Sequence, residues 1–273
     1  MVPIVEIERS LNNHVTKRPA PMGQISADTL QDLKFGLTLL IPVHNEEKRL
    51  ERCLKRTQAF CDSQHWDYEI IVVEDGSTDK TVDVARKLIS RSSRLRLISN
   101  KERLGKGGAI RLGVLAAEKK YVAYMDADLS ADPREFQRLF QFIHQYDIVI
   151  GSRILRGELP PIERPLVRSF LSHCYSALFR ILFREIGVYD PQCGYKLFRS
   201  DVAIAIVTQT TTNGFAFDCE LLIKASNSGM SIKEVPIIWK HCYGSGVNLL
   251  RDIKAMGSDL FLIWYKTKLL KRS

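Results

Sequence analysis

From Gly36 onward the chain alternates short apolar runs with stretches whose apolar residues recur at helical spacing. The apolar runs predict strands over Gly36–Val43, Tyr68–Glu74, Leu95–Ser99, Tyr121–Met125 and Asp147–Gly151. The stretches between them predict helices over Glu46–Phe60, from Thr78 to about Ser90, over Lys106–Lys119 and from Pro133 to about His144. Strands alternating with helices of about 10–15 residues imply an α/β fold, with a mostly parallel sheet and helices on both faces.

After Gly151 the rhythm breaks at a turn-rich connector, Arg156-Gly-Glu-Leu-Pro-Pro161. A long amphipathic helix is predicted from about Arg164 to Glu185, with Arg164, Arg168, Arg180 and Arg184 among large apolar residues. A strand over Gly194–Arg199, a helix over Phe217–Ser226 and a strand over Ile232–Trp239 follow, then a glycine-rich loop at Gly244-Ser-Gly246. Leu249, Leu250, Ile253, Met256, Leu260 and Ile263 lie at helical spacing in a C-terminal amphipathic helix over 247–270. Residues 1–35 have no clear periodicity and read as an extension. The expected organisation is thus 1–35, a domain over 36–246 that changes character after 153, and 247–273.

A chain of 273 residues, 45% hydrophobic, can bury one large core or two closely joined lobes. Its longest unbroken apolar runs, Val202–Val207 and Leu260–Tyr265, fall far short of the roughly 20 residues that span a bilayer. Glu6, Glu8 and Arg9 stand where a signal peptide would be apolar, so export is not expected. The six cysteines form no Cys-x-x-Cys, which fits reduced cytosolic thiols better than a disulfide framework or a zinc site. A net charge of +9 suggests an anionic partner: nucleic acid, a lipid surface or a phosphorylated substrate.

The candidate chemistry lies where strands end. Tyr121-Val-Ala-Tyr-Met is an apolar strand that closes in Asp126-Ala-Asp128. Two carboxylates at the carboxyl end of a sheet suit Mg²⁺ or Mn²⁺ when a diphosphate supplies the other oxygens, although such residues also cap helices. Pro42-Val-His44-Asn-Glu46 closes the first strand, where Asn45 could equally be a helix cap. Glu74-Asp75-Gly-Ser-Thr-Asp79 closes the second, with Gly76 making the turn and Asp75 placed to accept from a base or a ribose. Gly105-Lys106-Gly107-Gly108 opens the third predicted helix, whose N-terminus favours phosphate oxygens; Lys106 could also be simply solvated.

With Gly151-Ser-Arg153, Gln192-Cys-Gly-Tyr-Lys-Leu-Phe198 and Phe217-Asp-Cys-Glu220 added, the chain resembles a family 2 glycosyltransferase of the GT-A fold over roughly Leu37–Tyr265. Asp190–Phe198, Phe215-Ala-Phe-Asp218 and Trp239 resemble the dolichyl- or polyprenyl-phosphate β-glucosyltransferases more than the mannosyl enzymes. The resemblance implies a nucleotide-sugar half over 36–153 and an acceptor half over 154–246. It assigns Pro42, His44, Glu46, Val73, Asp75, Lys106, Asp126 and Ala127 to the nucleotide sugar, and Asp126 and Asp128 to the metal. Arg153, Arg164, Arg168 and Lys240 fall to the acceptor phosphate. One departure stands out: such enzymes carry Lys or Arg after Gly-Ser in the late loop, and here that position is Gly246. Lys240, His241 and Arg251 are possible substitutes.

The implied reaction moves a hexose, glucose favoured, from a nucleotide-diphosphate sugar, UDP favoured, to a polyprenyl or dolichyl phosphate with inversion. Asp126, Asp128 and Arg153 would serve it. A lipid phosphate is already anionic and needs no strong base. A sugar hydroxyl would need one, with Asp218 and Glu220 as candidates unless they only favour a helix start. The basic C-terminal helix, with Phe261, Trp264 and Tyr265 beside Lys266, Lys268, Lys271 and Arg272, fits an anionic membrane surface, here the cytosolic face. No nucleic acid is expected. The rivals are transfer to a saccharide or glycolipid, a GDP-mannose-dependent enzyme, and a non-catalytic basic module that binds lipid or nucleic acid by charge.

Overall fold

The computed structural model describes residues 36–155, 166–240, 242 and 249–268. Seven strands form one sheet: β1 (Leu37–Val43), β2 (Tyr68–Asp75), β3 (Leu95–Asn100), β4 (Tyr121–Tyr124), β5 (Ile148–Ser152), β6 (Lys196–Arg199) and β7 (Ile232–Pro236). Their order is β3-β2-β1-β4-β6-β5-β7. Only β6 is antiparallel, to β4 on one side and β5 on the other, so the sheet is mostly parallel as expected. The carboxyl ends of β1, β2, β3, β4, β5 and β7 therefore share one edge with the start of β6. Strand order reverses between β1 and β4, and such a crevice is where open α/β sheets bind ligands.

The period-2 alternation of each strand divides its side chains between two cores. Leu37, Leu39 and Ile41 of β1 and Ile70 and Val72 of β2 face the side covered by α1 (Leu50–Ser63), α2 (Thr81–Ile89) and the short α4 (Phe136–Phe140). Leu40, Ile71, Val73, Val122 and Tyr124 face the other side. That side is covered by α3 (Lys106–Leu115), α5 (Leu166–Leu182), α6 (Ser200–Val207), α7 (Phe217–Asn227) and α8 (Leu249–Lys268). Strands buried on both faces explain why β1 and β2 read as near-continuous apolar runs, with the buried Thr38 hydroxyl donating to Glu69 at 2.6 Å.

Three elements differ from the sequence reading. The first helix begins at Leu50 rather than Glu46, because residues 45–47 are engaged by the turn after β2. Asn45 N–H donates to Ser77 Oγ at 3.0 Å, Glu46 N–H to Thr81 Oγ1 at 2.7 Å and Glu47 N–H to Asp79 Oδ2 at 3.1 Å. The helix expected over Pro133–His144 is a 3₁₀ turn (Pro133–Glu135) followed by the five-residue α4. An additional helix, α6, occupies the apolar run noted at Val202–Val207.

Candidate active site

The shared edge collects the strand-end residues. Pro42 lies opposite Val73 in the β1–β2 register. Val73 is wholly buried and Ala127 is buried too, so neither side chain offers a surface to a ligand. The His44 Nδ1–H donates to the Asp75 carbonyl at 2.8 Å, tying the two loops together. Glu46 holds Arg49 through its Nε at 2.6 Å and its Nη2 at 2.8 Å. Burial pushes the Glu46 carboxyl up; Arg49 opposes this, while the Asp128 and Asp126 carboxylates add to it, which puts all three acids in one neighbourhood.

Asp75 is buried and already occupied on both oxygens. Oδ1 accepts the Leu104 N–H at 2.7 Å and Oδ2 the Gly105 N–H at 2.7 Å, so this carboxylate caps the approach to α3. The Gly107 N–H donates to the Asn213 carbonyl at 2.8 Å. A Cβ on Gly105 would sit 2.5 Å from Asn213 O, and one on Gly107 would sit 2.5 Å from Phe217 Cβ. Close backbone approach is thus what these glycines permit, and the partner is the protein's own 212–217 segment. Arg111 secures the same segment through Thr210 Oγ1, Asn213 Oδ1 and the Thr212 carbonyl.

Lys106 is the group that reaches the centre. Its Nζ lies 2.8 Å from Asp126 Oδ1 and 3.8 Å from Asp218 Oδ2. Burial works against the ammonium, yet Asp126 and Asp218 together hold its pKa above the ordinary lysine value. Asp218 Oδ1 takes Lys196 Nζ at 2.6 Å and the Tyr124 hydroxyl at 2.5 Å, and Lys196 also donates to the Cys193 carbonyl at 2.6 Å. Burial disfavours the Asp218 charge, but Lys196, Lys106 and Tyr124 outweigh it and hold its pKa below the ordinary value. That environment suits a fixed counter-charge better than a proton acceptor. Glu220 points elsewhere: its carboxylate accepts the N–H groups of Thr211 and Thr212, the latter at 2.7 Å.

Asp126 follows β4 with a side chain 43% exposed. The backbone at Gly194 presses on it so closely that a Cβ there would overlap its carboxylate. Asp128 accepts from Ser130 N–H and Ser130 Oγ–H, each at 2.8 Å, with Leu129 between them at φ 56°. Among the described residues no three acidic, His or Cys side chains cluster as a metal cage. Two carboxylates at an open edge are still enough for Mg²⁺ or Mn²⁺ when the metal arrives with a diphosphate.

Arg153 follows β5, where Asp190 clamps it three ways: Oδ2 accepts its backbone N–H at 2.8 Å and its Nε at 2.7 Å, and Oδ1 accepts Nη2 at 2.7 Å. Its guanidinium lies 5.9 Å from the centre of the Trp239 ring and within electrostatic range of Lys106 and Asp126. The Lys240 backbone N–H donates to the Ser130 carbonyl at 2.7 Å, which holds this exposed residue beside the Asp128 segment. Arg164 and His241 lie outside the described residues, as does the 243–248 loop. Arg168 and Arg251 sit on α5 and α8, with side chains outside them.

The edge therefore unites Pro42, His44, Glu46, Asp75, Lys106, Asp126, Asp128 and Arg153. Reading the residue types missed three supports: Lys196, Asp190 and Glu234. A lysine inside the apolar stretch Tyr195–Phe198 was a legible signal, since an unpaired charge is not tolerated in a buried strand. Asp190 and Glu234 gave none, because each needs the fold to bring its partner near.

A family model described as Glycosyl transferase family 2 matches residues 38–206. The dolichyl-phosphate beta-glucosyltransferase of Drosophila melanogaster is 31% identical over 279 residues, an alignment covering 97% of this chain and 85% of that protein. The Saccharomyces cerevisiae protein of the same description is 30% identical over 251 residues, covering 85% and 75%. Glycosyltransferase AglD of Haloferax volcanii is 30% identical over 84% of this chain, which spans only 37% of that longer protein. Glucosyl-3-phosphoglycerate synthase from Mycobacterium tuberculosis, solved with Mn²⁺, UDP and phosphoglyceric acid, superposes with a TM-score of 0.70. At 18% identity over 92% of this chain and 85% of that one, the likeness is one of fold.

Proposed function

Because the chain belongs to glycosyl transferase family 2 and has its GT-A fold, we propose that it transfers a glucosyl residue from UDP-glucose to dolichyl or another polyprenyl phosphate. The relatives that align over most of both chains support the donor sugar and the acceptor by their descriptions. The observation that carries the reading is the meeting of Lys106 with Asp126 at the β1–β4 crevice, with Arg153 in electrostatic range.

The reaction is an in-line displacement at the anomeric carbon with inversion. A phosphate acceptor brings its own anionic oxygen, so the site's task is to hold two anionic substrates in line rather than to remove a proton. Arg153 suits the acceptor phosphate, because its planar fork keeps its charge and Asp190 fixes its plane. Lys106, already charged on Asp126, suits the donor phosphates. Asp218 and Lys196 keep Lys106 in place from below. Asp126 and Asp128 would hold Mg²⁺ or Mn²⁺. Bound there, the metal offsets the charge that grows on the departing nucleoside diphosphate.

No helix among the described residues is long and apolar enough to cross a membrane. The proposed place of work is the cytosolic surface of an anionic membrane, supported by Phe261, Leu262 and Tyr265 exposed on α8 beside Lys266 and Lys268.

The test offers labelled UDP-glucose and GDP-mannose separately, each with polyprenyl phosphate and Mg²⁺ or Mn²⁺. Label from UDP-glucose is expected to enter organic solvent. No organic-soluble label from either donor would sink the lipid-phosphate assignment. Asp128→Asn is expected to abolish transfer with an unchanged thermal melt; retained transfer would remove Asp128 from the reaction.

A further inference from the structure

β7 runs parallel to β5 with Glu234 opposite Ile150 and Pro236 opposite Ser152. A strand position needs no charge, yet Glu234 places a half-buried carboxyl here and uses both oxygens. Oε2 accepts the Tyr189 N–H at 2.8 Å and Oε1 accepts the Asp190 N–H at 2.7 Å. The Ser152 hydroxyl is a further partner. Two successive peptide N–H groups gripped by one carboxylate fix the orientation of both peptides. A glutamine could not do the same, because its amide would turn a donor toward one of the two N–H groups.

The peptides so fixed carry Asp190, which is fully buried and commits its carboxylate to Arg153 through three hydrogen bonds of 2.7–2.8 Å. A continuous chain of contacts thus runs from β7 through the 189–190 backbone and the Asp190 carboxylate to a guanidinium at the substrate edge. Every link is short, and every acceptor is a carboxyl oxygen.

We infer that Glu234 is a positioning residue for the transfer, setting the 189–190 backbone so that Asp190 presents the Arg153 guanidinium in the plane the acceptor phosphate requires. This rests on the reading of Arg153 as the acceptor-phosphate ligand. Glu234 touches no substrate and acts only through its neighbours. Its loss should therefore weaken the use of the acceptor and spare the donor, whose ligands hang on β1, β2, β4 and α3.

The experiment compares Glu234→Gln, Arg153→Ala and the double variant in the full chain. It measures kcat and KM for polyprenyl phosphate, the affinity for UDP with Mn²⁺ by calorimetry, and the thermal melt. Glu234→Gln should lower kcat/KM for polyprenyl phosphate about ten- to a hundredfold, the scale on which a misplaced binding group is felt. UDP affinity should stay within about twofold, and on the Arg153→Ala background the same change should cost less than about twofold more. Glu234→Asp, which keeps the charge one methylene short, should show a smaller loss with the same selectivity for the acceptor; it carries the test if Glu234→Gln does not fold. A Glu234 variant that folds and keeps normal acceptor kinetics would overturn the inference. So would one that weakens UDP equally, or whose cost adds in full to that of Arg153→Ala. If Arg153→Ala itself leaves acceptor kinetics unchanged, the Arg153 assignment falls and the inference with it. A large Arg153 effect beside a silent Glu234 overturns the inference alone.

Discussion

At the β4 terminus one carboxylate is constrained from two sides. Lys106 Nζ fixes Asp126 Oδ1 at 2.8 Å, and the Gly194 backbone leaves no room for a side chain against the same group. Gly194→Ala should therefore turn the Asp126 carboxylate away from Lys106, lowering affinity for UDP with Mn²⁺ about tenfold, equivalent to about 1.4 kcal/mol. Calorimetric titration reads this directly, and an unchanged affinity would mean that the carboxylate tolerates a new position. Glu234 makes a separate prediction about stability. Burial pushes its carboxyl up to about 7, against an ordinary value of 4.5. The folded protein then holds the proton through a window in which the unfolded chain has released it. The Glu234 contribution to stability is full below pH 4.5 and is lost as pH rises through about 7. Between pH 5 and 8 the denaturant midpoint of Glu234→Gln should fall less than that of the wild type. A parallel fall in both would place the titrating group elsewhere.

Among the elements, the turn at Gly105–Gly108 shows how a sequence pattern can be legible while its partner is not. Its glycines promise close backbone approach, but only the fold reveals that the approaching group is the 212–217 segment, through Asn213 and Phe217. Gly107→Ala would drive a Cβ to 2.5 Å from Phe217 Cβ and 2.8 Å from Thr212 O. Overpacking of that kind costs about 1–3 kcal/mol, to be read as a lower denaturant midpoint at unchanged slope. A neutral result would show that the 212–217 segment yields freely. The same contrast runs through the fold. Strands β1 to β5 and the helices α1 to α3 between the first four were legible because apolar runs and helical spacing are local properties of the chain. α6 was not, since four of its eight residues, Val202, Ala203, Ile206 and Val207, are buried, leaving an apolar run without a polar face. The direction of β6 was illegible for a different reason: no local period encodes whether a strand runs with or against its neighbours. Asp126, Asp128 and Asp75 announced themselves as charges at strand ends, whereas Asp190 and Glu234 gain meaning only when β7 is laid beside β5.

Across the whole molecule, the sheet separates two sides with different surfaces. α8 packs Leu260 and Ile263 into the core it shares with α5 and α7, and Lys268 pairs with Glu185 at the end of the α5 region. That packing accounts for one face of the helix and leaves Phe261 and Leu262 56% and 53% exposed, flanked by Tyr265, Lys266 and Lys268. Ile181 on α5 is also exposed. Large apolar side chains bordered by cations suit a surface that offers acyl chains and anionic headgroups together, and a net charge of +9 favours the same encounter. Burying a side chain such as Phe or Leu contributes roughly 1.5–3 kcal/mol. Replacing both Phe261 and Leu262 with Ser should therefore release most of the protein from phosphatidylserine vesicles in a flotation assay. Because neither side chain supports the core, the thermal melt should hold. Transfer to a short-chain, water-soluble polyprenyl phosphate should keep its rate, while transfer to long-chain acceptor in vesicles falls. Raising salt should weaken wild-type flotation by screening the cations without abolishing it, since the apolar share is not screened. Equal flotation of variant and wild type would move the membrane contact away from α8.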